Sequence, residues 1–413
     1  MTPINKQVVI IGGGPAGLAA AASLKKSGVS DILIIEREHQ PGGILRQCIH
    51  DGFGLTRFGE TLSGPEYAQR FADLVSKLDI GVLTDTTVTG LSGDRTVTAV
   101  SRDGLIQYKA DAVILAMGCR ERTRGALSIP GERPSGVFTA GVAQAYINLK
   151  NKMIGRRAII LGSGDIGMIM ARRLTLEGAK VDAVFEIQPY PSGLPRNIEQ
   201  CLNDYGIPLY LSHTVTKIIG KNRLEAVEVS RVDEHLRPVS GIEKIYPCDT
   251  LILSVGLIPE NELSLMAGVR LDTRTKGAVV DENCQTSVPG IFAAGNVLHV
   301  HDLVDFVSLE AEHMAACVTG FLNGKLSPAK INIEAGGDIG YTVPQVISGT
   351  RDVNISFRPK KPLKNCRVEI WQENSRLISK KYAKLIPAEM EHMTLPASKL
   401  LSDSDIKVVT VCE

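Results

Sequence analysis

The sequence predicts an α/β chain in which two strand–turn–helix–strand units precede a small β-rich region. Three observations carry this. The all-apolar runs Val8-Val9-Ile10-Ile11 and Ala158-Ile159-Ile160-Leu161 read as short buried strands, and each runs straight into a glycine turn. Every landmark of the second unit repeats one of the first at an offset of 150 residues. Beyond about residue 330 the pattern changes to strict apolar–polar alternation, as in Val353–Phe357 and Arg367–Trp371, and Val408–Val411 adds another β-rich run.

In the first unit, Gly12-Gly13-Gly14-Pro15-Ala16-Gly17 turns the strand into an alanine-rich helix that is expected to end near Gly28. A strand from Asp31 to Ile35 follows and stops at Glu36. In the second, Gly162-Ser163-Gly164-Asp165-Ile166-Gly167 opens a helix expected to end near Gly178, and the strand Lys180 to Phe185 stops at Glu186. First glycine and acid are 24 residues apart in both copies. One such turn is weak evidence, but two with matching strand, helix and acid are strong. The first glycine makes the tight turn, the second lets backbone approach a pyrophosphate, and the third lets helix and strand pack closely. The free N–H groups of the helix N-terminus then face the phosphates. A carboxylate at the end of the second strand suits ribose hydroxyls and repels a 2′-phosphate. Two Rossmann-like dinucleotide-binding domains are therefore expected, with Glu186 favouring NAD(H).

Composition narrows the remaining classes. With 413 residues, 44% hydrophobic and 22% charged, the chain is long enough for two to four domains. Lys plus Arg total 46 against 45 for Asp plus Glu, so no net field attracts nucleic acid or an anionic membrane. Eight cysteines without a CxxC pair fit neither a metal cluster nor a secreted disulfide scaffold, and a reducing cytoplasm is expected. Val8 to Leu24 is free of charge, but its glycines and Pro15 break it as a signal peptide or a transmembrane segment.

The two glycine turns, with Ala116-Met117-Gly118, Ser254-Val255-Gly256 and Thr286 to Asn296 (TSVPGIFAAGN), resemble the two-dinucleotide-binding flavoproteins over roughly residues 7 to 325. The resemblance implies FAD at the first turn and a nicotinamide nucleotide at the second. It also implies a split FAD domain, residues 1–120 and 260–330, around an inserted NAD(H) domain of 121–259, with 331–413 as the small β-rich domain. On the FAD side it implies Gly12, Gly14, Pro15, Ala16, Gly17, Glu36, Arg37, Gly43, Leu45, Arg46, Val88, Ala116, Gly118, Gly295 and Asn296. On the NAD side it implies Gly162, Gly164, Asp165, Ile166, Gly167, Glu186 and Gly256. The redox cysteine pair of the disulfide reductases in this group is missing: after Gly42-Gly43 stands Cys48 alone, while Cys201 and Cys248 are 47 apart. The stretch GGILRQCIHDGFG and AMGCRERTRG are more similar to the flavoprotein subunits that accompany amino-acid, opine or glycerol-3-phosphate type dehydrogenases, including relatives of the sarcosine oxidase alpha and hydrogen cyanide synthase subunits. That similarity implies an NADH-linked FAD subunit working with a second dehydrogenase or oxidase subunit, and a small cysteine-rich companion.

Individual residues sharpen the expectation. Arg46, after the Gly-Gly turn, suits a bidentate contact with phosphate. Asn296 replaces the more usual Asp and is expected to accept a hydrogen bond from a ribityl hydroxyl. Asp165 suits the helix dipole but repels a phosphate, so it either weakens nucleotide binding or points away. Cys48, His50, His299 and His301 are the candidates for assisting proton or hydride transfer. The His299-x-His301-Asp302 spacing also suggests a metal, but no third group of ligands accompanies it in the sequence, and none is expected. Alternatives are a stand-alone NADH oxidase or peroxidase using Cys48, and a flavin-containing assembly subunit without turnover of its own. From Ala335 onward Lys and Arg number 12 against 9 acids, too small an excess for a nucleic-acid surface, which leaves a stabilising cap or a docking surface for the partner subunit.

Overall fold

The computed structural model describes residues 2–412. The chain forms two compact units, one from the residues up to Cys119 and from Pro259 onward, the other from Arg120–Ile258.

The first unit is built on a seven-stranded sheet whose parallel part runs Gly81–Leu83, Ile32–Ile35, Ile4–Ile11, Gly104–Leu115. Ile10 is in register with Ile34 on one side and Ile114 on the other. Strand Ile291–Ala293, which follows the excursion into the second unit, pairs in parallel with the end of Gly104–Leu115, Phe292 opposite Ile114. Where both faces are covered, at residues 8–11, 32–35 and 112–115, these strands read as unbroken apolar runs. The helix Pro15–Lys26 opens at Gly14 with Pro15 in its first turn, where a missing N–H costs nothing. It closes at Ser27, and Gly28 leaves in a left-handed conformation at φ +92°. Its alanines are small enough to share one core with Met314, Ala315 and Val318 of the long helix Val304–Leu322.

The C-terminal β-rich region lies within this unit. It contains a five-stranded sheet centred on Ile406–Cys412 and Leu363–Gln372, and a three-stranded sheet centred on Val353–Pro359. Alternating inward residues from both sheets, among them Ile355, Phe357, Val368, Ile370 and Val408, make its core.

The second unit has a five-stranded parallel sheet in the order Leu209–Leu211, Lys180–Glu186, Arg157–Leu161, Thr250–Leu253, Val137–Thr139. The helix Asp165–Leu176 packs on it through Met168, Met170, Ala171 and Leu174. A three-stranded antiparallel sheet, from His213–Ile219 to Lys244–Pro247, completes it. Among the described residues no helix is long and apolar enough to cross a membrane.

Candidate nucleotide sites and a buried histidine–glutamate cluster

In the first turn each glycine answers to a different neighbour. Gly12 has φ +107°, and a Cβ there would lie 2.4 Å from the Ala116 carbonyl oxygen; one on Gly17 would lie 1.9 Å from the Gly12 oxygen. Both positions exclude a side chain because backbone meets backbone. Gly14 differs, since a Cβ would meet only the Gly43 Cα at 4.0 Å. The space beside it is open, lies at a helix N-terminus and is bordered by Gly43, itself left-handed at φ +56°. Glu36, buried at the end of its strand, accepts Gly13 N–H at 2.7 Å on Oε2 and Glu38 N–H at 2.8 Å on Oε1. A carboxylate has about four acceptor positions, so Glu36 keeps capacity for two ribose hydroxyls. An open backbone cradle, a facing helix terminus and an acid with free acceptor sites fit the adenosine and pyrophosphate of FAD.

The other expected residues are placed unevenly. Val88 packs against the core cluster of Val9, Ile11 and Leu33, two residues past Thr86, whose N–H donates to the Glu36 carbonyl at 3.0 Å. Leu45 is buried beneath the short helical turn Gly43–Gln47, and the stem of Arg46 covers Gly42 while its Nη1 donates to Gln40 O at 3.4 Å. Arg37 is largely exposed beside Glu38. Gly118 is left-handed at φ +72° with open space at its Cα.

The second turn repeats this plan with a difference at the acid. Gly162 has φ +97°, and its Cβ would fall 2.0 Å from the Ser254 carbonyl oxygen; one on Gly167 would press on the Ser254 side chain at 2.6 Å and one on Gly164 on its Oγ at 3.1 Å. Ile166 and Gly256 border the same turn, Gly256 left-handed at φ +101°. Glu186 accepts Ser163 N–H at 2.9 Å and Gln188 N–H at 3.0 Å, matching Glu36. Its Oε2 also takes the Ser163 hydroxyl at 2.6 Å and the Ser192 hydroxyl. Asp165 turns away from the phosphate cradle, and its Oδ1 accepts Leu194 N–H at 2.8 Å and Asn197 Nδ2 at 2.6 Å. The same 150-residue offset pairs Ser163, Ser192 and Gly193 with Gly13, Gly42 and Gly43, which is the signal that marks them in the sequence.

The stretch around Cys48 is tied to the helix Val304–Leu322. Asp305 accepts Gly54 N–H at 3.0 Å and Arg57 N–H at 2.7 Å, and the Arg57 guanidinium pairs with Glu312 at 2.7 Å. Cys48 is buried with its thiol 3.4 Å from the Ile44 carbonyl, and His50 packs against Phe53 with ring centroids 4.9 Å apart. Gly295, at φ +75°, donates its N–H to Glu310 Oε1 at 2.6 Å. The Asn296 Oδ1 already accepts His301 N–H at 3.0 Å, so the expected role of that oxygen as a ribityl acceptor competes with the protein's own bond.

His299 and His301 do come together, and the expectation that nothing accompanies them is corrected: Glu310 stands between them. Its Oε2 lies 2.8 Å from His299 Nε2 and 3.4 Å from His301 Nε2, with side-chain exposures of 1%, 3% and 16% for His299, His301 and Glu310. The ligand-type atoms of the three lie within 4.8 Å of one another. No local spacing signals this, because Glu310 arrives from the next helix through tertiary packing. Burial works to raise the Glu310 carboxyl, but the two histidines outweigh it and hold it below its usual range. Burial, helped by His301, pushes His299 down against the pull of Glu310. An ionised carboxylate on Nε2 fixes the proton there, which leaves Nδ1 of His299 as an acceptor. The Nδ1 atoms of both histidines are buried and have no partner among the described residues.

Two acid-tipped glycine turns on parallel sheets define a chain with two dinucleotide sites. Residues 6–317 match the family described as pyridine nucleotide-disulphide oxidoreductase, and the chain belongs to that family, whose fold binds FAD and a pyridine nucleotide. It is 28% identical over 318 residues to an NADH oxidase of Methanocaldococcus jannaschii, covering 72% of this chain and 64% of that protein. It is 26% identical over 317 residues to hydrogen cyanide synthase subunit HcnB of Pseudomonas protegens, covering 70% of this chain and 65% of that one. The chain thus spans slightly under two thirds of these two relatives. The crystal structure of T. acidophilum thioredoxin reductase superposes with a TM-score of 0.64 at 24% identity, covering 76% of this chain and 98% of the other, and shares the fold.

Proposed function

We propose that the chain is an NADH-linked FAD subunit that exchanges electrons with a partner dehydrogenase or oxidase subunit acting on an amino acid, a hydroxy acid or glycerol 3-phosphate. The observation that carries this is the duplicated turn, in which Glu36 and Glu186 each take the N–H of the residue after the first glycine. Bound FAD would supply a two-electron carrier able to exchange hydride with a nicotinamide. Gly12, Gly14, Gly17 and Glu36 hold its adenosine and pyrophosphate. Gly162, Gly164 and Gly167 would cradle the nicotinamide nucleotide, and Glu186, whose acceptor positions are taken by Ser163, Gln188 and Ser192, would meet its ribose by exchanging the Ser192 hydroxyl. Glu310 orients His299 and His301 so that their Nδ1 atoms accept a hydrogen bond or a proton. A dithiol cycle beside the first glycine turn has no support, because Cys48 is the one cysteine of that stretch and donates to a backbone carbonyl.

Stopped-flow reduction of the bound flavin tests the nucleotide choice. NADH is expected to be favoured over NADPH by about tenfold or more, because a 2′-phosphate would face the Glu186 carboxylate. Ser192→Gly removes a hydroxyl that competes with the ribose for Glu186 and is expected to lower the KM for NADH several-fold. A preference for NADPH would overturn the reading of Glu186.

The subunit role is supported by the similarity to HcnB, itself a subunit, and by exposed Ile44, Ile49 and Leu55 along a single stretch. The C-terminal region leaves Leu401 and Val411 as its exposed large apolar side chains. Docking is therefore better placed on residues 44–55 than on the tail. Co-expression with a neighbouring dehydrogenase gene is expected to give co-purification that survives the tail's surface substitutions and weakens with Leu55→Glu. Efficient oxidation of an amino or hydroxy acid by the isolated chain would sink the subunit role.

A further inference from the structure

On the helix Val304–Leu322, one turn apart, lie His313 and Cys317, outside both nucleotide turns and unused by the proposed chemistry. The Cys317 sulfur is 3.8 Å from His313 Nε2 and 3.5 Å from Arg351 Nη2. His313 Nε2 also stands 3.0 Å from the Glu282 carbonyl oxygen. A carbonyl can only accept, so the proton is on Nε2, and that N–H points at the sulfur as well as the carbonyl. The Arg351 guanidinium cannot accept either, so two charged-type donors converge on one sulfur, the environment of a thiolate. Burial works to raise the Cys317 thiol, but His313 and Arg351 outweigh it and lower it, while Cys317 raises His313 in return. Cys201, Cys248 and Cys284 shift the opposite way, Cys248 up to about 12, because burial dominates there.

Cys317 itself is 4% exposed, while His313 and Arg351, whose nitrogens face its sulfur, are exposed residues. Arg351 ties the β-rich region to the nucleotide part of the same unit. Besides the sulfur, its Nη2 donates to Glu282 O at 2.9 Å and to Asn283 Oδ1 at 2.7 Å, and nearby Ser348 N–H donates to the Glu282 carboxylate at 3.0 Å.

We propose that Cys317 is a modification site, a thiolate oxidised by hydrogen peroxide to a sulfenic acid, and that this oxidation loosens the Arg351 tether. The sulfur attacks one peroxide oxygen, so an S–O bond forms as the O–O bond breaks. Sulfur gives up two electrons, and the departing hydroxide takes a proton from the His313 imidazolium and leaves as water. The product, neutral Cys317–SOH, no longer offers the guanidinium a negative partner.

The test treats the full-length, flavin-loaded protein with low hydrogen peroxide and dimedone, a trap for sulfenic acids, and maps the adducts by peptide mass spectrometry. Labelling of Cys317 is expected about tenfold faster than that of Cys119, although Cys119 is the less buried of the two. Arg351→Gln and His313→Gln are expected to slow it about fivefold or more while Cys119 is unaffected. Labelling that follows exposure, with Cys119 ahead of Cys317, overturns the proposal. Hydrogen–deuterium exchange of residues 348–351 reports the tether. Faster exchange is expected after oxidation and in Arg351→Gln alike, and unchanged exchange in the sulfenylated protein overturns the loosening.

Discussion

Gly14→Ala is expected to keep the fold and lose the flavin. The backbone at Gly14 is extended, with φ −77° and ψ −172°, a conformation open to any residue. The added methyl would meet only the Gly43 Cα at 4.0 Å, an ordinary contact. It would project into the cradle beside the helix N-terminus, where a pyrophosphate needs bare backbone. A loss of at least about tenfold in flavin affinity is expected, equivalent to about 1.4 kcal/mol, with the unfolding midpoint of the apoprotein nearly unchanged. Gly17→Val is the contrasting variant. Its Cβ would be 1.9 Å from the Gly12 oxygen, so strand and helix must separate, at a cost of about 3 kcal/mol or more. Flavin absorbance of the purified proteins and their denaturant unfolding separate the two effects. Full flavin occupancy in Gly14→Ala would remove the pyrophosphate from this turn.

Glu310→Gln is expected to destabilise the first unit by about 3 kcal/mol, since it takes the charge from a buried carboxylate whose partners cannot move into water. The wild-type protein should itself be acid-sensitive, for two reasons of the same sign. The folded His299 is held below its usual 6.5, so the unfolded chain takes up that proton first and stability falls as pH drops through about 6.5. The folded Glu310 carboxyl is held below its usual 4.5, so its contribution is complete above that value and is lost as pH falls further. The gap between wild type and Glu310→Gln should therefore narrow once the pH passes below about 4.5, as the wild type loses what the variant never had. Unfolding midpoints at pH 7.5, 5.5 and 4 test this. A gap that widens below pH 4.5 would show that the carboxylate is not the stabilising partner.

Much of the architecture was legible because it depends on local chemistry. A strand buried on both faces must be apolar throughout, a tight strand-to-helix turn must use glycine, and an acid must end the second strand to hold the turn's N–H. Those requirements recur at fixed spacing, so the 150-residue offset marks both glycine turns in the sequence. The β-rich tail was legible in part. Val353–Pro359 and Leu363–Gln372 alternate cleanly, whereas Ser375–Leu385, with six of its seven exposed residues polar or basic, pairs with Leu363–Gln372 and takes its register from it.

By itself, then, the sequence determined the class of fold, the two glycine turns and the acid at the end of each. Tertiary structure alone decided which groups those acids and histidines meet. Ser192 reaches Glu186 only because a loop folds back across the turn, and Asp165 faces that loop and not the phosphate cradle. Glu310 joins His299 and His301, and Arg351 joins Cys317, across 34 residues in the latter case. The reason is physical: a turn or a strand is specified by neighbours a few residues away, but a buried charge is satisfied by whatever packing brings within about 3 Å, and no short-range pattern encodes that.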